Sequence, residues 1–201
     1  MNISVIGAAG MVGVEVVAEA QARGHEVTAY TRSGSQGSQA LSLADTKELV
    51  EVINNSDVTV ISVASRDNYA AAIDAHRALI AAQPAGRVLV VGGAGALQAG
   101  QGLLLDAPGF PDEYKPEAQT FAQILEDYRA SEGLDWAVIA PSPAIAPGAR
   151  TGSYIEALDT PAGGFVSTQD FALAILDEAE NPKHKGERFT VASADEAAAQ
   201  G

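Results

Sequence analysis

Three glycines stand three residues apart near the start of the chain, at Gly7, Gly10 and Gly13. The segment Ile3–Ile6 before them is short, apolar and rich in β-branched residues, which is typical of a buried strand. The residues after Gly13 place apolar side chains at helical spacing, with glutamates on the opposite face. The glycines are therefore predicted to form a strand-to-helix turn.

A turn of this kind can bind the pyrophosphate of a dinucleotide. Gly7 permits the tight turn, Gly10 lets phosphate approach the backbone, and Gly13 lets the helix lie close to the strand. The first turn of the helix adds unpaired N–H groups and a partial positive charge. The motif predicts a dinucleotide site, and the alternative is that the glycines serve packing alone.

The end of the second predicted strand, Glu26–Thr31, bears on which dinucleotide is bound. Sites that prefer NAD usually place Asp or Glu there to bind the ribose 2′-hydroxyl. This chain has Arg32 and Ser33 instead, and arginine can pair with a 2′-phosphate. The pattern favours NADP over NAD, with a solvated arginine at a strand end as the alternative.

Composition excludes several kinds of site. The chain has no cysteine, which excludes disulfides, thiolate metal sites and a cysteine nucleophile. The three histidines, His25, His76 and His184, are scattered, so we expect them on the surface and expect no metal site. A net charge of −14 would repel DNA or RNA, so nucleic acid is not an expected partner.

The length of 201 residues fits one domain. We expect residues 1–194 to form it and residues 195–201 to be a flexible tail. No apolar run is long enough to span a membrane, and the first strand begins too early to leave room for a signal peptide. A cytoplasmic protein without membrane association is expected, and the oligomeric state stays open.

Strands alternate with helices along most of the chain. This alternation predicts an α/β fold, a Rossmann-like doubly wound parallel sheet with a small C-terminal extension on the substrate side. Gly92 and Gly93 follow the predicted strand Arg87–Val91, where ligands approach such sheets; a turn with positive φ is the alternative. The long irregular stretch 94–117 and residues 141–170 are expected to form the substrate pocket.

The motifs together resemble the atypical short-chain dehydrogenase family. They are most similar to its branch of small NAD(P)H-binding proteins, which includes NmrA-like proteins, biliverdin reductase B and NADH-flavin reductases. The stretches that carry the resemblance are Gly7–Gly13, Gly92–Gly95, Phe110–Pro116, Ser131–Trp136, Pro141–Pro143, Arg150–Tyr154 and Val166–Ala172.

The resemblance implies which residues would hold the cofactor. By this likeness, the pyrophosphate would contact Gly7, Ala9, Gly10, Met11 and Val12, and the 2′-phosphate would contact Arg32 and Ser33. The ribose would lie along Ala64 and Ser65, and the nicotinamide near Gly92, Gly93, Pro141, Ser142 and Pro143. The segment between Arg32 and Asp45 is shorter than is usual in the family, and Ser42 stands where an aspartate is common.

The chain lacks the Tyr-x-x-x-Lys pair of ordinary short-chain dehydrogenases, because no tyrosine is followed by lysine four residues later. That route to alcohol oxidation is therefore not supported. Reduction of a flavin requires fewer catalytic groups from the protein, since hydride passes from the nicotinamide and the proton can come from water.

We therefore expect an NADPH-dependent reductase of a small electron acceptor, such as a flavin, a quinone or a similar flat molecule. Tyr114, in the long irregular stretch, is the candidate catalytic residue, although it could simply cover the pocket wall. Tyr154 is a weaker candidate for the pocket. The main alternative function is a non-catalytic sensor of the NADP redox state, of the NmrA type, that acts on a protein partner. A reductase or dehydratase of a carbonyl compound is the remaining alternative.

Overall fold

The computed structural model describes residues 1–35, 37–64 and 68–201. Its strands are β1 Asn2–Ile6, β2 Glu26–Thr31, β3 Gln39–Ala40, β4 Val58–Ile61, β5 Arg87–Val91, β6 Gln98–Ala99, β7 Gly102–Leu103, β8 Trp136–Pro141, β9 Ala144–Ala146, β10 Tyr154–Ala157, β11 Phe165–Ser167 and β12 Glu187–Ser193. Its α-helices are α1 Gly13–Ala22, α2 Thr46–Asn54, α3 Tyr69–Ala82, α4 Lys115–Arg129, α5 Thr168–Glu180 and α6 Glu196–Gln200.

Eight strands form one sheet in the order β10-β12-β8-β5-β4-β1-β2-β3. Its neighbouring strands pair in parallel, except that β10 runs antiparallel to β12. The order reverses between β1 and β4, which is the switch point of a doubly wound sheet. The predicted Rossmann-like fold is confirmed.

Helices cover both faces of this sheet. Val16 and Ala20 of α1 pack with Phe171 and Ile175 of α5 on one face. On the other face, apolar residues of α2, α3 and α4 form a second core that includes Tyr128. Because β1, β4 and β5 are covered on both sides, their carboxyl ends are held at one edge of a rigid sheet.

The third strand has only two residues. Leu41 and Leu43 follow it, leave the sheet and pack into the core that α2 also joins. Asp45 precedes α2 without capping it, because its carboxylate accepts a hydrogen bond from the Ser42 N–H at 3.0 Å. The turn before the helix therefore takes the carboxylate that could otherwise cap α2.

The C-terminal residues are ordered rather than a flexible tail. The Asp195 carboxylate accepts a hydrogen bond from the Ala198 N–H at 3.0 Å and caps α6. Ala199 is fully buried, and its carbonyl accepts a hydrogen bond from the Ala149 N–H at 2.9 Å. Glu196 accepts from the Gly164 N–H at 2.6 Å. The last helix thus holds the loop that follows β9 and the loop that precedes β11.

Two of the three histidines are buried, contrary to the expectation of surface positions. The His184 ring stacks on Phe189 with centroids 4.0 Å apart. His76 is 2 % exposed, and its Nδ1 lies 3.0 Å from the Tyr128 hydroxyl. Burial lowers the pKa of His76 to about 4, against an ordinary value of 6.5. The imidazole is therefore neutral at physiological pH and behaves as a polar core residue.

This burial predicts a dependence of stability on pH. Between pH 6.5 and about 4 the unfolded chain protonates His76 whereas the folded protein does not. The free energy of unfolding should therefore fall as the pH is lowered through this window, by up to about 3 kcal/mol from this residue. Urea denaturation across the window should show a steeper fall for the parent than for His76→Gln. An NMR titration in which the folded His76 protonates near its ordinary pKa would contradict the prediction.

No helix among the described residues combines the length and apolar character needed to cross a membrane.

Candidate functional site

The turn between β1 and α1 lies at the switch point of the sheet. Gly7 has a φ of +84°, and its N–H donates to the Tyr30 carbonyl at 2.9 Å. A Cβ atom on Gly13 would lie 2.2 Å from the Gly7 carbonyl oxygen. The tight turn therefore requires glycine at position 7, and the close approach of α1 to β1 requires glycine at position 13.

This turn presents unpaired backbone donors. The N–H groups of Met11, Val12 and Gly13 make no hydrogen bond to any residue that the structure describes. They precede or open α1, so the positive end of the helix dipole adds to them. Gly10, between Gly7 and these donors, is exposed and has no side chain to shield them. The arrangement suits a phosphate or another anion.

A cavity of about 860 Å³ begins at this turn and crosses the carboxyl ends of β4, β5 and β8. Its size is within the range of small-molecule sites. The sequence-predicted residues that line it are Gly10, Met11, Val12, Ala64, Gly92, Gly93, Tyr114, Pro141, Ser142 and Pro143. One continuous space thus joins the glycine turn to the region expected to receive the substrate.

Four of the predicted residues that the structure describes do not line the cavity. Gly7 and Ala9 belong to the turn itself, next to residues that do. Arg32 and Ser33 directly follow β2, the neighbour of β1, and both are exposed. Ser65 lies outside the described residues.

The far half of the cavity is aromatic. Four of the five phenylalanines of the chain line the cavity, together with Tyr114: Phe110, Phe121, Phe165 and Phe171. Sequence reasoning missed this cluster, because its members come from a loop, two helices and a strand. The one indication of this cluster in the sequence is that Phe110 and Tyr114 both lie in the long irregular stretch that was expected to form the pocket. Such walls suit a flat, apolar ligand.

The glycines after β5 allow helix α4 to form that wall. A Cβ on Gly93 would lie 3.0 Å from Phe121, and one on Gly95 would lie 2.4 Å from Ala118. Neither glycine has a positive φ, so the alternative of a left-handed turn is wrong here. Their small size brings Phe121 and Phe110 against the strand end.

Buried polar groups hold the opposite wall. The Ser142 hydroxyl is fully buried and donates to the Val191 carbonyl at 2.8 Å, so it fixes the loop after β8. Asp170 is also fully buried, and its carboxylate accepts from the Thr151 N–H at 2.9 Å and the Ser193 hydroxyl at 2.7 Å. The motif around Asp170 is therefore structural: it ties α5 to the loop before β10 and to β12.

Tyr154 is not on the cavity, contrary to its place among the weaker pocket candidates. It lies on β10, and its hydroxyl donates to the Asp177 carboxylate at 3.1 Å. Burial, reinforced by Asp177, raises the pKa of Tyr154. Tyr114, in contrast, is 56 % exposed and lies on the cavity at the start of α4.

Arg32 carries a positive charge with no carboxylate partner among the described residues. Of the lysines and arginines in the 197 residues described, Arg32 and Lys47 are those that form no salt bridge. Thr31 orders the loop beside Arg32, since its hydroxyl lies 2.6 Å from that of Ser38 and accepts from the Ser35 N–H at 3.2 Å. An unpaired arginine in a protein of net charge −14 is available to an anionic ligand.

Known proteins match the chain over nearly its whole length. The NAD(P)H-binding family profile matches residues 7–182. The uncharacterized protein YwnB of Bacillus subtilis (strain 168) is 39% identical, over 96% of this chain and 99% of that protein.

Two solved structures are also similar. SP1627 of Streptococcus pneumoniae TIGR4, named "a putative NADH-flavin reductase", has a TM-score of 0.84 at 32% identity, over 96% of this chain and 99% of that chain. A "putative epimerase" of Bacteroides thetaiotaomicron has a TM-score of 0.85 at 29% identity, over 96% of each chain. The names of these neighbours differ in reaction, whereas their fold is shared.

The glycine turn generates a direct prediction. Gly13→Ala places a methyl group against the Gly7 carbonyl and should push α1 away from β1, at a cost of about 1–3 kcal/mol in unfolding free energy. Binding of NADPH, measured by fluorescence titration, should weaken at least about tenfold, because the unpaired N–H groups move. Gly102→Ala is the control, since its Cβ would meet no atom closer than 3.9 Å. Unchanged NADPH affinity in a folded Gly13→Ala variant would contradict this role.

Proposed function

Because this chain belongs to the family of NAD(P)H-binding proteins, we propose that it transfers hydride from NADPH to a flat acceptor such as a flavin or a quinone. Its class is that of an NAD(P)H oxidoreductase, and its cofactor is a nicotinamide dinucleotide. The observation that carries the finer proposal is the continuous cavity, which joins the unpaired N–H groups of α1 to walls of phenylalanine. The name of the pneumococcal neighbour adds support for a flavin.

The residues at the switch point fit the dinucleotide. Met11, Val12 and Gly13 would donate backbone hydrogen bonds to its pyrophosphate, with Gly10 leaving room for the approach. Gly92 and Gly93 would lie beside the nicotinamide end, where side chains would narrow the cavity. When bound, the nicotinamide supplies the hydride.

The protein's part in the reaction is then orientation and exclusion of water. Phe110, Phe121 and Phe165 line the cavity, so a planar ring would pack against their side chains. Pro141 and Pro143 stiffen the loop at the strand end. A catalytic constellation of ionised groups is not needed for this transfer.

We assign Tyr114 the role of a hydrogen-bond donor to the acceptor. Its ring is on the cavity, and its hydroxyl has no partner among the described residues. Tyr114→Phe should lower kcat/KM for the acceptor about two- to tenfold and leave NADPH affinity unchanged. An unchanged kcat/KM would leave Tyr114 as a wall residue.

The open cavity also bears on the choice between a reductase and a sensor. A sensor of the NADP redox state has no use for an acceptor space, and side chains would be expected to fill it. The aromatic side chains line an open cavity of about 860 Å³ rather than filling it. This observation favours the reductase.

The test of the function is anaerobic oxidation of NADPH by the purified protein, with riboflavin, FMN or menadione as acceptor. Saturable turnover above the rate without protein is expected for at least one acceptor. NADPH binding without turnover of any acceptor would overturn the reductase proposal and favour the sensor. The Gly13→Ala variant, with its weakened cofactor site, is the negative control.

Arg32 determines the choice of cofactor in this proposal. We infer that it pairs with the 2′-phosphate of NADPH, helped by the Ser33 hydroxyl, since it is exposed after β2 and free of a salt bridge to any described residue. An arginine–phosphate pair is charge-assisted and absent from NADH.

Arg32→Ala should therefore weaken NADPH binding about ten- to hundredfold and leave NADH binding nearly unchanged. The measurement is the dissociation constant of each cofactor by fluorescence titration. Lys47→Ala is the matched control, because Lys47 is the other described cation without a salt bridge and lies on α2. Equal losses for both cofactors, or a loss of the same size in Lys47→Ala, would exclude the assignment.

A further inference from the structure

One charged side chain lies on the wall of the cavity among the residues that the structure describes, and it is a carboxylate. Glu117 stands in the first turn of α4, next to the aromatic half formed by Phe121 and Tyr114. It is partly exposed and makes no hydrogen bond or salt bridge to another described residue. The nearby Lys115 is paired with Asp112 at 2.6 Å and does not line the cavity.

The negative charge of this wall has the same sign as the charge of many flat electron acceptors. FMN carries a phosphate, and other flat acceptors carry carboxylates or sulfonates, whereas riboflavin and simple quinones are uncharged. A carboxylate several ångström from such an anion repels it, and apolar walls screen the repulsion less than water does. No lysine, arginine or histidine of the described chain lines the cavity to offset Glu117.

We propose that Glu117 selects the acceptor by charge, so that the site takes uncharged flat acceptors in preference to phosphorylated or carboxylated ones. This inference rests on the proposed function, because it concerns the acceptor half of the same cavity. Glu117 acts here as a specificity-determining residue. A purely structural role is the competing explanation, since a glutamate in the first turn of a helix also stabilises that helix.

Riboflavin and FMN provide the sharpest comparison, since they share the isoalloxazine ring and differ by one phosphate. With saturating NADPH under anaerobic conditions, kcat/KM should be higher for riboflavin than for FMN, by about three- to tenfold for one carboxylate at this range. A higher value for FMN would overturn the proposal. Arg66 lies outside the described residues. If it supplied a cation to the acceptor, FMN would have the higher kcat/KM, and the same comparison would reveal it.

Glu117→Gln separates selection by charge from a structural role. The substitution should raise kcat/KM for FMN about three- to tenfold and leave that for riboflavin within about twofold. A structural role would change both acceptors together. Glu113→Gln is the matched control, since Glu113 is exposed in the preceding turn and does not line the cavity. It should leave the ratio of the two flavins unchanged.

Ionic strength gives an independent readout. The preference for riboflavin should shrink in the parent protein between about 20 mM and about 500 mM salt, because salt screens the repulsion. In Glu117→Gln the ratio should depend less on salt than in the parent, because the nearest charge that repels FMN is gone while the protein as a whole stays acidic. A salt-independent preference in the parent would mean that shape, not charge, discriminates between the flavins, and would overturn the proposal.

The same design distinguishes failure of this inference from failure of the proposed function. Turnover of both flavins at equal kcat/KM would refute selection by Glu117 and leave the reductase in place. Turnover of no acceptor would refute the reductase. In that case selection by Glu117 is tested by the equilibrium binding of riboflavin and of FMN to the protein with NADP⁺. Equal binding of the two flavins, or no detectable binding of either, would refute the selection.

Discussion

The close approach of α1 to the end of β1 is the constraint on which the site depends. A Cβ on Gly13 would lie 2.2 Å from the Gly7 carbonyl, and a Cβ on Gly7 would lie 2.1 Å from the Ser62 carbonyl. The backbones at Gly7, Gly13 and Ser62 therefore meet at a point that has no room for a side chain. Because they meet there, the first N–H groups of α1 face the mouth of a cavity whose other walls come from β4, β5 and β8. A larger residue at either glycine would separate the helix from the sheet and its first N–H groups from the cavity.

A network of charges keeps α1 in this place. Glu19 on α1 pairs with Arg150 at 2.8 Å and with Arg23 at 2.9 Å, and Arg23 reaches Asp177 on α5 at 2.8 Å. Hydrogen bonding from Arg150, aided by Arg23, holds the pKa of Glu19 below its usual value against the effect of burial. Arg150 belongs to the loop that Asp170 also binds. Helix α1, whose first N–H groups are proposed to bind phosphate, and the loop before β10 are thus joined by the same side chains.

The sequence predicted those parts of the structure that depend on neighbours along the chain. The strand-to-helix turn at Gly7–Gly13 and the strands Glu26–Thr31 and Arg87–Val91 follow from local spacing. The burial of His76 depends on Tyr128, which is 52 positions away. The aromatic cavity likewise needs α4 to pack on glycines of a distant strand end. Such contacts follow from tertiary packing, and no local pattern encodes them.

The proposed site is electrically asymmetric. Its dinucleotide end offers the N–H groups of α1 and, beyond β2, the charge of Arg32, which forms no salt bridge to a described residue; its acceptor end offers Glu117 and phenylalanine. An NADPH molecule has a matching asymmetry, because its three phosphates lie in the adenosine half and the pyrophosphate link, away from the nicotinamide. The reversed orientation would put the 2′-phosphate beside a carboxylate and leave the cationic end unused. In the proposed function, the charge that discriminates between acceptors therefore also favours the single orientation of the cofactor that brings its nicotinamide to the aromatic walls.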